Sequence, residues 1–264
     1  MKAEGNATQI HSTAIIHPKA ELAANVSVGP YAVIAEEVRI GSGCLIHSHA
    51  HIAPFTTIGD RCEIYPYASI GTAPQDLKFD GRRTETIIGN GNVIREFVTI
   101  NRGSVGGGEA TLIGDNNLLM AYCHIAHDCV IGNHVIVANA ATLAGHVIIQ
   151  DYATLGGLTA VHQFVRIGAY AFIGGKTGVV KDIPPFLLVS GHRAKPYGLN
   201  TIGLKRKNFP ESVLKALKKC YRIVFRSDTP LQQALEEAER QLGEVEEVRI
   251  ILDFIRGSQR GITR

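Results

Sequence analysis

The side chains best suited to chemistry are concentrated between residues 124 and 164. His124, His127, Asp128, His146, His162 and Gln163 fall there, and the span holds five of the chain's 11 histidines, His134 being the fifth. Imidazole takes and returns protons near neutral pH. A histidine beside a carboxylate therefore suits general-base work. The positions share a common step. Eighteen residues after His127 comes Gly145, and eighteen further comes Gln163; the same step links Asp128 to His146 and Phe164. If eighteen residues make one turn of a coil, His127, Gly145 and Gln163 share one surface groove. An unshielded glycine amide then lies about 4.8 Å from the imidazole, one inter-strand spacing away. A base, an orienting carboxylate and an N–H donor for an oxyanion are what acyl transfer needs. The other chemistry open to clustered imidazoles is a metal centre. His134, His47, His49 and His51 find no carboxylate at their own level and are expected to be plain surface residues.

The elements that must position this cluster follow from a second periodicity. A large aliphatic recurs every six residues from Ile10 through Ile70, again at Ile88, Ile94 and Ile100, and from Ile113 to Val179. Four residues after each stands a small or β-branched residue, such as Ala32, Cys44, Ala50 and Cys62. A period of six is neither the 3.6 of a helix nor a simple strand alternation. It predicts short strands joined by tight turns, three to a coil, stacked as a triangular prism. Gly, Asn or Asp are expected to take the turn geometry. Loops are expected at 71–87 and 106–112, where the phase breaks, and loops leaving a solenoid tend to carry function. The expected organisation is a parallel β-helix over 1–184 and a helical cap over 185–264. Helices are expected from Pro210, from the Thr229-Pro230 pair to about Leu242, and from about Val245 to Ile255, closing at Gly257.

Charge separates the two parts. Residues 185–264 hold 15 Lys and Arg against 9 Asp and Glu, a net of +6, whereas residues 1–184 hold 12 against 15, a net of −3. The charge fits a solvated helix face or, more sharply, a docking surface for an acidic partner or for phosphate groups. No recognition motif accompanies the charge, so nucleic acid is not expected. Met1–Ala14 carries no apolar run of signal-peptide length, and no stretch reaches membrane-spanning length. Five cysteines without a C-x-x-C pair fit reduced thiols in a cytoplasmic protein.

His124-Ile-Ala-His-Asp-Cys129, Leu143-Ala-Gly-His146 and Ala160-Val-His-Gln-Phe164 resemble the UDP-N-acetylglucosamine acyltransferase family. So do Gln75-Asp-Leu-Lys78 and Gly203-Leu-Lys-Arg206, and the likeness covers essentially the whole chain. The resemblance implies a left-handed parallel β-helix, a homotrimer with sites between subunits, and no cofactor or metal. It implies transfer of a 3-hydroxyacyl chain from acyl carrier protein to the 3-hydroxyl of UDP-N-acetylglucosamine, at the start of lipid A biosynthesis. His127 would be the base, Asp128 its orienting carboxylate and Gly145 the oxyanion donor, with no acyl-enzyme on Cys123 or Cys129. Gln75, Asp76, Lys78, His124 and His146 would contact sugar and acyl group, the first loop facing a neighbour's histidines. His162, Gln163, Asn200 and Arg206 would hold the sugar nucleotide, and Gly175 and Phe172 would bear on acyl length. Asn101, Arg193 and Ile202 depart from common family residues. An N-acyltransferase, a 3-amino sugar acceptor, a carbonic-anhydrase-like metal enzyme and a non-catalytic scaffold are the other readings. The carbonic anhydrases of this fold pair two histidines five apart on one coil, whereas His124 and His127 are three apart.

Overall fold

The computed structural model describes residues 8–264. Residues 1–7, the first half of the Met1–Ala14 stretch expected to lack an export signal, lie outside the described residues. The chain winds into a three-sided prism of parallel strands, most of them two residues long. One face runs from Gln9–Ile10 to Phe172–Ile173, the second from Ile15–Ile16 to Gly178–Val179, the third from Glu21–Leu22 to Arg166–Ile167. Register advances by eighteen residues per coil, as in Gln9 opposite Ser27 and His124 opposite Thr142. The six-residue aliphatics fill the interior: Ile34, Ile52, Ile64, Ile94, Ile125 and Leu143 are each at most 1% exposed. At the N-terminal end of the described residues the same position is less covered, and Ile10 is 51% exposed.

Two excursions interrupt the winding without changing its frame. Ile64 pairs with Ile94 and Ile70 with Ile100, and Ile100 then pairs with Ile125. The first excursion is shorter than the expected 71–87, because Ser69–Thr72 extends one face and Glu85–Ile88 already pairs on the next. The second is displaced from 106–112 toward its N-terminal side. Thr99–Asn101 and Ala110–Ile113 bound it, leaving residues 102–109 outside the strands.

The turns differ from expectation in their chemistry. The left-handed position of most corners is held by a ring-bearing side chain: Tyr31, His49, Tyr67, Phe97 and Tyr122 all have φ between 58° and 66°. Left-handed backbone costs an L-residue roughly 1–2 kcal/mol. The rings offset this by stacking on the residue one coil away, with centroids 5.1, 5.0, 5.0 and 4.9 Å apart along the series. His49 sits inside this stack and His134 stacks on Tyr152 at 4.7 Å. His47 also has a carboxylate neighbour after all, with Nε2 3.0 Å from Glu63 Oε1. The partner lies sixteen positions on rather than eighteen, which is why level-by-level counting overlooked it.

The prism passes into its cap gradually. Leu187–Ser190 adds to the first face and pairs antiparallel with Lys195–Leu199. Four helices follow: α1 (Thr201–Arg206), α2 (Glu211–Phe225), α3 (Leu231–Leu242) and α4 (Glu246–Arg256). The short α1 went unpredicted; Asn200 caps it, its Oδ1 accepting from Gly203 N–H at 3.1 Å. Pro230 stands at the N-cap of α3 rather than inside its first turn. Leu217, Val224, Ala238 and Leu252 are fully buried between the helices. Among the described residues, no helix is long and apolar enough to cross a membrane.

Candidate active site

His127 and Asp128 form the corner between the second and third faces, following the strand His124–Ile125. Their side chains are joined, His127 Nδ1 lying 2.7 Å from Asp128 Oδ2. Asp128 takes the left-handed corner position (φ 58°), and its side chain is only 2% exposed. A buried carboxylate needs donors. Oδ2 accepts a second hydrogen bond from Ser104 N–H at 3.0 Å, while Oδ1 has no partner among the described residues. Gly107 closes over the group, where a Cβ would come within 2.3 Å of the carboxyl carbon. Gly107 of the second excursion thus covers Asp128.

One coil on, Gly145 lies against the imidazole. A Cβ there would meet His127 Cε1 and Nε2 at 2.7 Å, so only glycine leaves this ring room. The neighbouring backbone is engaged: His146 N–H donates to His127 O at 3.0 Å, and Gly145 O accepts from Phe164 N–H at 3.2 Å. Gly145 N–H itself donates to no group among the described residues. It is a free donor on the residue that packs against the His127 ring.

Three more sequence-selected residues gather here. His146 stands edge-on to His127, with centroids 5.0 Å apart, and stacks on Phe164 at 4.5 Å. His124 Nδ1 lies 2.8 Å from Thr99 Oγ1. Burial holds both imidazoles below the ordinary histidine range, with His127 adding to the effect. At His146 the carboxylates of Asp128 and Asp76 pull the other way. Asp76 belongs to the first excursion, and its Oδ2 accepts from Ser104 Oγ at 2.7 Å. That bond, chiefly, holds Asp76 below the usual carboxylate range.

Ser104 therefore ties both excursions to the His127 pair of the same chain. Through Asp76 the first loop reaches the histidine cluster of its own chain. Asn101 fixes the base of that loop, donating to Thr72 Oγ1 at 3.0 Å and Ala73 O at 3.1 Å. Gln75 and Lys78 are exposed on it.

The remaining residues divide by location. His162 and Gln163 are exposed on the next coil along the same corner. Asn200 and Arg206 are not there. Asn200 Nδ2 donates to Tyr170 O at 2.9 Å, at the corner between the third and first faces, and Arg206 is exposed on α1 beyond it. Gly175 lies over Gly157 at the remaining corner, and Phe172 is on the first face. One chain therefore does not assemble all its sequence-selected residues at a single place. Ile202 is 68% exposed on α1.

The cysteines stand apart from this chemistry. All five are free and buried. Burial pushes the Cys123 thiol up to about 11 and the Cys129 thiol up to about 12, so neither is a ready nucleophile. His127, Asp128 and His146 offer ligand atoms within 4.8 Å of one another, close enough to hold a cation. Two of those side chains are already hydrogen-bonded together, and a cation would have to compete with that pair.

Sequence reasoning missed Ser104, Thr99 and Gly107. Thr99 shares the register of His124 and could have been found by counting through the excursion. Ser104 and Gly107 lie where no repeat supplies a frame.

Known proteins carry the same architecture. A profile described as Udp N-acetylglucosamine O-acyltransferase, domain 2, matches residues 182–263. A second, the bacterial transferase hexapeptide, matches 37–72 and 110–145. The chain is 49% identical to the acyl-[acyl-carrier-protein]–UDP-N-acetylglucosamine O-acyltransferase of Halorhodospira halophila, over 97% of this chain and 100% of that one. It is 52% identical to the enzyme of the same description from Thermodesulfovibrio yellowstonii, over 97% and 99%. It superposes on the UDP-N-acetylglucosamine O-acyltransferase of Moraxella catarrhalis with a TM-score of 0.93 and 41% identity, over 97% of this chain and 99% of that one.

Proposed function

The chain belongs to the UDP-N-acetylglucosamine O-acyltransferase family, and we propose that His127 is the base and Gly145 N–H the oxyanion donor of its reaction. It transfers an acyl chain from acyl carrier protein to UDP-N-acetylglucosamine, in the synthesis of lipid A. The observation that carries the mechanism is the His127–Asp128 pair at 2.7 Å with, packed against its ring, a glycine whose N–H donates to no group among the described residues.

Asp128 accepts from Nδ1–H, which leaves Nε2 bare on the Gly145 side. The sugar 3-hydroxyl gives its proton to Nε2 as its oxygen attacks the thioester carbonyl. The carbonyl oxygen takes up negative charge and accepts from Gly145 N–H. Collapse breaks the carbon–sulfur bond, and the imidazolium returns the proton to the departing thiolate. The desolvated Asp128 carboxylate favours the imidazolium while it exists. The ester forms in one transfer, without a covalent enzyme intermediate.

Around this centre, Asp76, Gln75, Lys78, His124 and His146 bind sugar and acyl group. His162 and Gln163 contact the sugar nucleotide. Asn200 stands at another corner of the prism and Arg206 on α1 beyond it, so they reach the same nucleotide only from a neighbouring subunit. That supports a homotrimer with its site at the subunit boundary. Gly175 and Phe172 bound the far end of the acyl groove, and the acyl group is a 3-hydroxyacyl chain. Lys205, Lys215, Lys218 and Arg222 line one side of the cap and give an acidic carrier protein its docking surface. Five free, buried thiols fit a reducing compartment and support a cytoplasmic location.

The test is an acyl-transfer assay with 3-hydroxyacyl carrier proteins and both the 3-hydroxy and the 3-amino sugar nucleotide. His127→Ala is expected to lose on the order of 10²-fold or more in turnover, with fold and assembly retained. Near-normal turnover in that variant would sink the mechanism.

A further inference from the structure

The corner that carries His127 continues past Gln163 to the last coil, where it meets the C-terminal segment. That segment is pinned to the prism. Asp182 N–H donates to Gly261 O at 3.0 Å and Thr263 N–H donates to Asp182 O at 2.9 Å. The Asp182 side chain is buried, accepting from Arg166 N–H at 2.8 Å and from Ser258 Oγ at 2.7 Å. This anchoring holds Arg260 against the coils. Its Nε donates to Val180 O at 3.1 Å, and its Nη2 lies 3.0 Å from His162 Nδ1. A cavity of about 460 Å³ opens beside it, walled by His146 and Phe164 on one side and by Gln259 and Arg260 on the other.

A guanidinium offers N–H donors and no acceptor. In the contact with Arg260, His162 Nδ1 is therefore the acceptor and carries no proton. A neutral imidazole holds its single ring proton on the other nitrogen, so Nε2 is the donor. The same Nδ1 lies 3.1 Å from Gln163 O, which can only accept. The two neighbours demand opposite protonation of one atom, and the cation prevails while it is present.

We propose that Arg260 is a positioning residue that locks His162 in its Nε2–H tautomer, so that the ring presents a donor to the anionic sugar nucleotide. This rests on the reading of His162 as a sugar-nucleotide contact. Without the guanidinium, the proton moves to Nδ1 and is donated to Gln163 O. Nε2 then faces phosphate oxygens as a bare acceptor, and the contact turns from attractive to repulsive.

The experiment compares the full-length enzyme with Arg260→Met and Arg260→Ser, which remove the donor, and with Arg260→Lys, which keeps one. Long-range ¹H–¹⁵N spectra read the tautomer, with the His162 signals identified by their loss in His162→Gln. Initial rates are measured against sugar nucleotide at saturating acyl carrier protein. The parent and Arg260→Lys are expected to show Nε2–H. Arg260→Met and Arg260→Ser are expected to show Nδ1–H, with KM for the sugar nucleotide up by roughly tenfold and kcat within about twofold. Retention of Nε2–H in both donor-free variants overturns the proposal whatever the kinetics. A switched tautomer with unchanged KM overturns instead the role of His162 at the nucleotide.

Discussion

At the scale of single residues, the site depends on what is missing from Gly145 as much as on what His127 carries. The corner is so tight that one methyl group at 145 would overlap the imidazole edge. Gly145→Ala must therefore push His127 away from its bond to Asp128 or tilt the amide off the oxyanion. Either outcome acts on the transition state more than on bound substrate. We expect kcat to fall by roughly 10²-fold with KM for the sugar nucleotide changed by less than about threefold. Steady-state kinetics would check this, and a variant losing affinity but not turnover would contradict it. Arg260 and Ser104 teach a complementary point. Neither is in the repeat that places the histidines, yet Arg260 lies 98 positions from His162 in sequence and 3.0 Å from it in space.

At the scale of elements, the six-residue period made the prism, its three faces and its eighteen-residue coil legible in the sequence, because each aliphatic serves one interior slot. It likewise placed His127, Asp128, Gly145, His146 and Gln163 along one corner. The two excursions were visible only as lapses of phase. Their bonds to Asp76 and Asp128 run through Ser104, which no period locates. The turns were misjudged for a different reason: glycine and asparagine are the usual occupants of left-handed backbone, but ring stacking between coils supplies an alternative. Tyr67 is the middle of such a stack, at φ 63°. Replacing it by a β-branched residue adds backbone strain and removes two stacked neighbours. Tyr67→Val is expected to cost about 2 kcal/mol, a fall of roughly 4–8 °C in the midpoint of thermal unfolding. Tyr67→Phe should be nearly neutral, and turnover at 25 °C should be unchanged in both. An unaltered midpoint in Tyr67→Val would mean that stacking does not compensate strain at these corners.

At the scale of the whole molecule, charge is divided between a mildly acidic prism and a basic cap. The exposed face of α2 presents Lys215, Lys218 and Arg222 along one groove with Lys205 of α1. An acidic carrier protein would be steered to it, and steering weakens with ionic strength. Charge reversal at Lys215, Lys218 and Arg222 together is expected to raise KM for the acyl carrier protein by roughly 10-fold or more at low salt. The difference from the parent should shrink as salt is added. Transfer from a small acyl thioester lacking the carrier should be unaffected, and equal losses with both donors would argue against docking at this groove.

The eighteen-residue register bears on how such an enzyme can diversify. Peptide hydrogen bonds fix the rise between coils at about 4.8 Å, so on the reading that Gly175 bounds the acyl groove, its depth would be graduated in whole rungs. Ala121, Asn139, Gly157 and Gly175 follow one another on one corner, one coil apart. Backbone sliding cannot yield an intermediate length without breaking every bond in a coil. Fine adjustment of the accepted chain is left to what protrudes from a rung. A single exchange at such a position could recalibrate the product while the machinery around His127 stays in place.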